Sequence, residues 1–187
     1  PGSFIDSDSP QVAQFADRAA GPSGNDVERA LELYRAIRDG IIYDPYVDLA
    51  DPDNYRASAV LTRGRGFCIG KAALLAASAR AIGVPARVGY ADVRNHLTSP
   101  RFYEHIKSDV FIWHSYADLY LAGRWVKATP AFDIALCSKL GLKPLAFLQD
   151  VLTGAVSIEQ ALLKSPLPRL ALLAASASHP EVFLAVE

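Results

Sequence analysis

The stretch Arg63-Gly64-Arg65-Gly66-Phe67-Cys68, running directly into CIGKAALLAASARAIG over residues 68–83, decides how this chain folds. Alanine and leucine dominate the run, which favours helix, and Gly83 and Pro85 follow it where a helix stops. The apolar residues do not keep to one stripe, so the helix is expected to be buried on all sides. Its many small side chains allow neighbouring backbone to come close.

Upstream, two more helices are expected. Ser9 precedes Pro10 at a first helical position, with Val12, Phe15, Ala16 and Ala19 on one face and Gly21 as the stop. Asn25 with Glu28 reads as a capping box, and Val27, Ala30, Leu31, Tyr34 and Ile37 recur at helical spacing up to Gly40. The segment IIYDPYVDLADPDNY, residues 41–55, has the composition of a loop, with at most a short strand at Ile41-Ile42-Tyr43.

Downstream the period changes. Residues 86–93 read as one strand and 110–121 as a longer one, with Ala122-Gly123 as a two-residue turn into a third strand at 124–129. Helices first and hairpins later give an α+β class. Beyond Cys137 the pattern is weaker: Ser157 with Gln160 suggests a capped helix, residues 167–176 another, and 181–186 a last strand. The chain reads as one domain over 1–187, with its core at about 25–135 and the part from 141 to 187 unassigned.

The chain has 187 residues, 51% of them hydrophobic, enough to bury a core without staples. Its 19 basic and 20 acidic residues are dispersed, which argues against a nucleic-acid partner. Two cysteines with no zinc-ligand spacing suggest a reducing compartment. The start, Pro1-Gly2-Ser3-Phe4, lacks the features of a secretion signal, and no apolar run reaches membrane-spanning length. The expectation is a soluble, cytoplasmic protein with no membrane partner and no need for a metal or other cofactor.

Cys68 is the candidate nucleophile. Most free cysteines are small buried hydrophobes. A Gly-Arg-Gly loop delivering this one to a helix start adds a backbone-entropy cost that a purely structural cysteine does not require. At a helix start the free N–H groups and the dipole favour a thiolate, and Arg65 lies three residues upstream. Cys137, after Ile134-Ala135-Leu136, reads as core.

His114 is the candidate base. Alternation along 110–121 puts Phe111, Trp113, Ser115, Ala117, Leu119 and Leu121 on a mostly apolar face, and His114, Tyr116, Asp118 and Tyr120 on the other. A two-residue turn pairs Tyr120 with Trp125, Asp118 with Lys127 and His114 with Ala131, leaving Thr129 and Asp133 as the diagonal neighbours of the histidine. His96, His105 and His179 read as surface residues.

Together these motifs resemble the bacterial transglutaminase-like superfamily, whose members share a papain-like Cys-His-Asp site. The resemblance is carried by Gly64-Arg65-Gly66-Phe67-Cys68, by residues 81–88, by His114 to Tyr120 and by Gly123-Arg124-Trp125-Val126. It covers about 55–133, and the upstream stretch 27–46 is similar to the helix and loop that precede the core in such proteins. It implies a central helix packed on an antiparallel sheet, and thiol acyl chemistry in which Cys68 attacks a peptide or amide carbonyl and His114 shuttles protons.

This sequence departs from the pattern at the acid. Such proteins usually read Trp, two or three residues, then Asp-Pro, whereas here Thr129 precedes Pro130. Either Asp133 takes over, or the Thr129 hydroxyl orients the ring, or the site is not catalytic. A carboxylate both orients an imidazole and stabilises its cation, so Asp133 is the expected third member. The rival readings are an inactive interaction module and a Cys-His-Asp acyltransferase acting on a small amine. The expected partner is a peptide, protein or small amide substrate.

Overall fold

The computed structural model describes residues 1–94 and 110–139. His96, His105, His179 and the helices and strand expected beyond residue 140 lie outside those residues.

The first helix, α1, spans Pro10–Ala20. Pro10 occupies its first turn, Gly21 stops it at φ 72°, and Val12, Ala16 and Ala20 are buried; the Ser9 side chain makes no capping bond. Helix α2, Asp26–Gly40, carries the expected capping box between Asn25 and Glu28. Its buried face is Ala30, Leu33, Tyr34, Ile37 and Arg38.

The loop after α2 holds a two-residue strand, β1 (Ile42–Tyr43), and one turn of 3-10 helix at Pro52–Asn54. A short helix that the sequence pattern did not reveal, α3 (Ala57–Arg63), follows and ends at Gly64 in the left-handed region. At seven residues it is too short for a periodicity signal, and only Ala57 and Val60 are buried. Strand β2, Arg65–Gly66, pairs in parallel with β1, so the Gly-Arg loop is tied to the segment after α2 just before Cys68.

Helix α4, Cys68–Ala81, is the buried centre: every residue from Gly70 to Ala79 is buried. Its small residues allow the close approach expected of them. A Cβ added at Gly70 would lie 2.5 Å from the carbonyl oxygen of Asn54 and 2.8 Å from Val60 Cγ2.

Strands β3 (Ala86–Arg94), β4 (Val110–Leu121) and β5 (Arg124–Ala128) form an antiparallel sheet in that order. Ala117, Leu119 and Leu121 join α4, α2 and α1 in one hydrophobic cluster. The α+β class and the helix-on-antiparallel-sheet core are therefore as expected.

The β4–β5 register is also as expected, with Tyr120 opposite Trp125 and Asp118 opposite Lys127. Tyr120 and Trp125 stack edge to face at 5.4 Å. The Asp118 carboxylate, however, is taken from the other side: Arg87 on β3 donates to it at 2.9 Å.

Regular alternation fails at Trp113. Ala91 pairs with His114 while Val93 pairs with Phe111, so Ile112 and Trp113 together face a single residue of β3. The bulge turns Trp113 to φ 64° and leaves it 66% exposed instead of on the core face. A last helix, α5 (Ile134–Lys139), buries Cys137, as expected of a core thiol. Among the described residues no helix is long and apolar enough to cross a membrane.

Candidate active site

Cys68 is the first residue of α4, and the backbone N–H groups of Ser115, Ile69 and Cys68 itself lie near enough to its thiol to favour the thiolate. The nearness of Ser115 puts the sulfur close to β4, at the residue next to His114. Burial pushes the thiol pKa up, and the three N–H groups act against that shift without cancelling it. This corrects the sequence expectation of a thiol lowered with the help of Arg65. That guanidinium lies 3.4 Å from Asp44 and is largely in solvent.

His114 is buried, and its Nε2 lies 3.0 Å from Thr129 Oγ1. Burial lowers its pKa to about 4, so the imidazole is neutral at pH 7. The tautomer protonated on Nε2 donates to the threonine oxygen and leaves Nδ1 with the lone pair a base needs. The resting pair is then a neutral thiol and a neutral imidazole.

The shift makes stability depend on pH. Between about 4 and the ordinary 6.5 the unfolded chain binds more protons at this residue than the folded one. Its contribution is complete above the unfolded value and is lost as pH falls through 6.5 towards 4. Urea unfolding at pH 7 and pH 4.5 should cost the wild type about 2 kcal/mol more than it costs His114→Gln. Equal losses would mean that the ring titrates normally.

The expected acid is elsewhere. Asp133 accepts from the N–H of Leu136 at 2.7 Å and from the N–H of Tyr43 at 3.2 Å. It caps α5 and ties β1 to it, so its carboxylate is committed to backbone and the ring takes Thr129 instead. Burial pushes the Asp133 carboxyl up, but those N–H groups and the Lys71 ammonium outweigh it and hold it below the usual carboxylate range.

Thr129 is itself held. The Tyr34 hydroxyl, reaching from α2, donates to the Thr129 carbonyl at 3.2 Å. Losing the neutral hydrogen bond between Thr129 and the ring costs about 1 kcal/mol, so Thr129→Val should lower turnover roughly five- to tenfold. Asp133→Asn should act mainly on stability. Comparing kcat/KM and urea midpoints of the two variants checks this; a turnover loss confined to Asp133→Asn would contradict it.

Sequence reasoning passed over Lys71. Its Nζ, on a side chain with 0% exposure, donates to the carbonyls of Arg38 at 3.0 Å and Ile41 at 2.6 Å. It thereby ties the end of α2 to the first turn of α4, beneath Cys68. Burial lowers its pKa to about 8. The signal was available, since Lys71 is the one charged residue between Cys68 and Arg80 in an otherwise apolar run. Two tyrosines were missed as well: a thiolate at Cys68 would act on both Tyr43 and Tyr90, whose pKa values are raised chiefly by burial.

The model of the transglutaminase-like superfamily matches residues 13–130. A candidate cysteine protease from Cytophaga hutchinsonii has a similar fold, with a TM-score of 0.53 and 21% identity over 70% of this chain and 39% of that one. A candidate protease from Parabacteroides distasonis aligns with a TM-score of 0.45 and 20% identity, over 63% of this chain and 22% of that one. This chain thus spans well under half the length of either. No curated protein matches. The matched span runs from α1 to the residue after Thr129 and includes both Cys68 and His114, and on that match the chain belongs to the transglutaminase-like superfamily.

Proposed function

We propose that this chain is a thiol enzyme that takes the acyl group of an amide or peptide onto Cys68 and passes it to water or an amine. The observation that supports the reading is the Ser115 N–H near the Cys68 thiol, which puts the sulfur close to the strand position beside His114. Cys68 is half-buried at a helix start, whereas Cys137, the core thiol, is 1% exposed.

In this mechanism His114 takes the thiol proton as the sulfur attacks the carbonyl carbon. A base with a pKa of about 4 does not hold that proton at rest, so proton transfer and attack go together. The N–H groups of Ser115, Ile69 and Cys68, already gathered at the sulfur, are suited to the tetrahedral oxyanion. The imidazolium then returns its proton to the leaving amine. Thr129 keeps the ring in register throughout. In the second half, water or an amine attacks the thioester and the same ring takes its proton; the C–S bond then breaks, and the imidazolium returns that proton to the Cys68 sulfur.

Hydroxylamine capture tests the proposal. Given a p-nitrophenyl ester as acyl donor, the wild type should release nitrophenolate and form hydroxamate, and Cys68→Ala should do neither above background. Equal release by Cys68→Ala would remove the thiol from the mechanism.

A further inference from the structure

Trp113 stands on strained backbone without being buried. Its φ of 64° lies in the left-handed region, where a bulky side chain is an outlier held only by surrounding constraint. The constraint is the bulge, in which the Trp113 N–H donates to Asp92 Oδ1 at 3.3 Å. Burial does not offset the strain, because the indole is 66% exposed. A lone exposed aromatic is ordinary; an exposed tryptophan on strained backbone beside a candidate base is not.

It also has a partner. The Tyr90 ring lies 5.8 Å from the indole at 71°, edge to face, and is itself 43% exposed. Tyr90 pairs with Ser115, whose N–H lies near the Cys68 thiol, and a charge on that thiol would act on the Tyr90 hydroxyl. Ser115 alternates with Ala117 and Leu119, which pack in the core with α4, and cross-strand partners share a face, so the tyrosine stands on the side of the sheet that carries α4 and Cys68, with the indole against it. An acyl group joined to Cys68 has this aromatic pair next to it. Two rings in that arrangement favour a third ring or a large apolar group and offer little to a small or anionic one.

We infer that Tyr90 and Trp113 form the subsite for the acyl group's side chain and select donors with an aromatic or large apolar group next to the carbonyl; this rests on Cys68 being the acyl acceptor. The pair determines specificity and takes no part in proton transfer.

The test compares p-nitrophenyl phenylacetate with p-nitrophenyl acetate in wild type, Trp113→Gly and Cys68→Ala. The wild type should favour the phenylacetyl donor in kcat/KM by roughly tenfold or more, and Trp113→Gly should bring that ratio close to one. Glycine adopts φ 64° freely, so the melting temperature of Trp113→Gly should equal or exceed that of the wild type, which a structural tryptophan would not allow. If the ratio is unchanged in Trp113→Gly while Cys68→Ala is inactive, the subsite is wrong and the thiol reading stands. If Cys68→Ala consumes both esters as fast as the wild type, the thiol reading fails and the subsite falls with it.

Discussion

Replacing His114 with alanine should slow acylation of Cys68 by a p-nitrophenyl ester about 10²–10⁴-fold at pH 7, the usual worth of a positioned general base. The size follows from the resting state. Burial holds the thiol pKa above its ordinary value and the imidazole at about 4, so almost no thiolate is present before substrate arrives. Without the ring the positioned base is gone, and attack must wait for the small ionised fraction. Raising the pH should therefore rescue the variant in proportion to hydroxide until the thiol itself ionises, while the wild type shows a flatter profile. Stopped-flow release of nitrophenolate between pH 6 and 9 checks both statements. A loss of less than tenfold with no change in pH profile would show that His114 is not the base.

Gly70→Ala should be strongly destabilising for a single added methyl. Helix propensity favours the change by about 1 kcal/mol. The added carbon, however, would sit 2.5 Å from a backbone oxygen at Asn54, on a turn that cannot step aside as a side chain can, and 2.8 Å from Val60. Overpacking of this kind costs about 1–3 kcal/mol and more where backbone must move, so a net loss of about 2 kcal/mol is expected, or roughly 4–8 °C in Tm. Gly40→Ala is the control, because that helical glycine has open space around the position and should be neutral or slightly stabilising. Thermal melts of the two variants decide it. A Gly70→Ala protein as stable as Gly40→Ala would mean that the approach of α4 to the 3-10 turn is looser than the structure has it.

The helix at Cys68, its burial and the hairpin register were legible because each has a local cause: composition, capping residues and a two-residue turn. The placement of Cys68 at a loop-to-helix junction and of His114 on a strand was legible for the same reason. The third group was not. Counting residues put Thr129 and Asp133 at equal diagonals, and chemistry favoured the carboxylate. The carboxylate turned out to be spent on the N–H groups of Leu136 and Tyr43, contacts that depend on a short helix and on a strand about 90 residues away. Trp113 escaped because a bulge is one residue's departure from alternation and has no mark in composition. Lys71 could have been noticed as a charge in an apolar run, but its partners on α2 are set by tertiary packing alone.

The most direct measurement is the site of the acyl group on the intact enzyme. A p-nitrophenyl ester is mixed with the protein, the reaction is quenched in acid within the first turnover, and peptide mapping locates the added mass. The account predicts one acyl group per chain, on the peptide that carries Cys68, removed by hydroxylamine and absent from Cys68→Ala. Cys137, 1% exposed, should stay unmodified. Acylation at Cys137 or a lysine, or consumption of donor with no mass at Cys68, would contradict the claim that this thiol carries the acyl group.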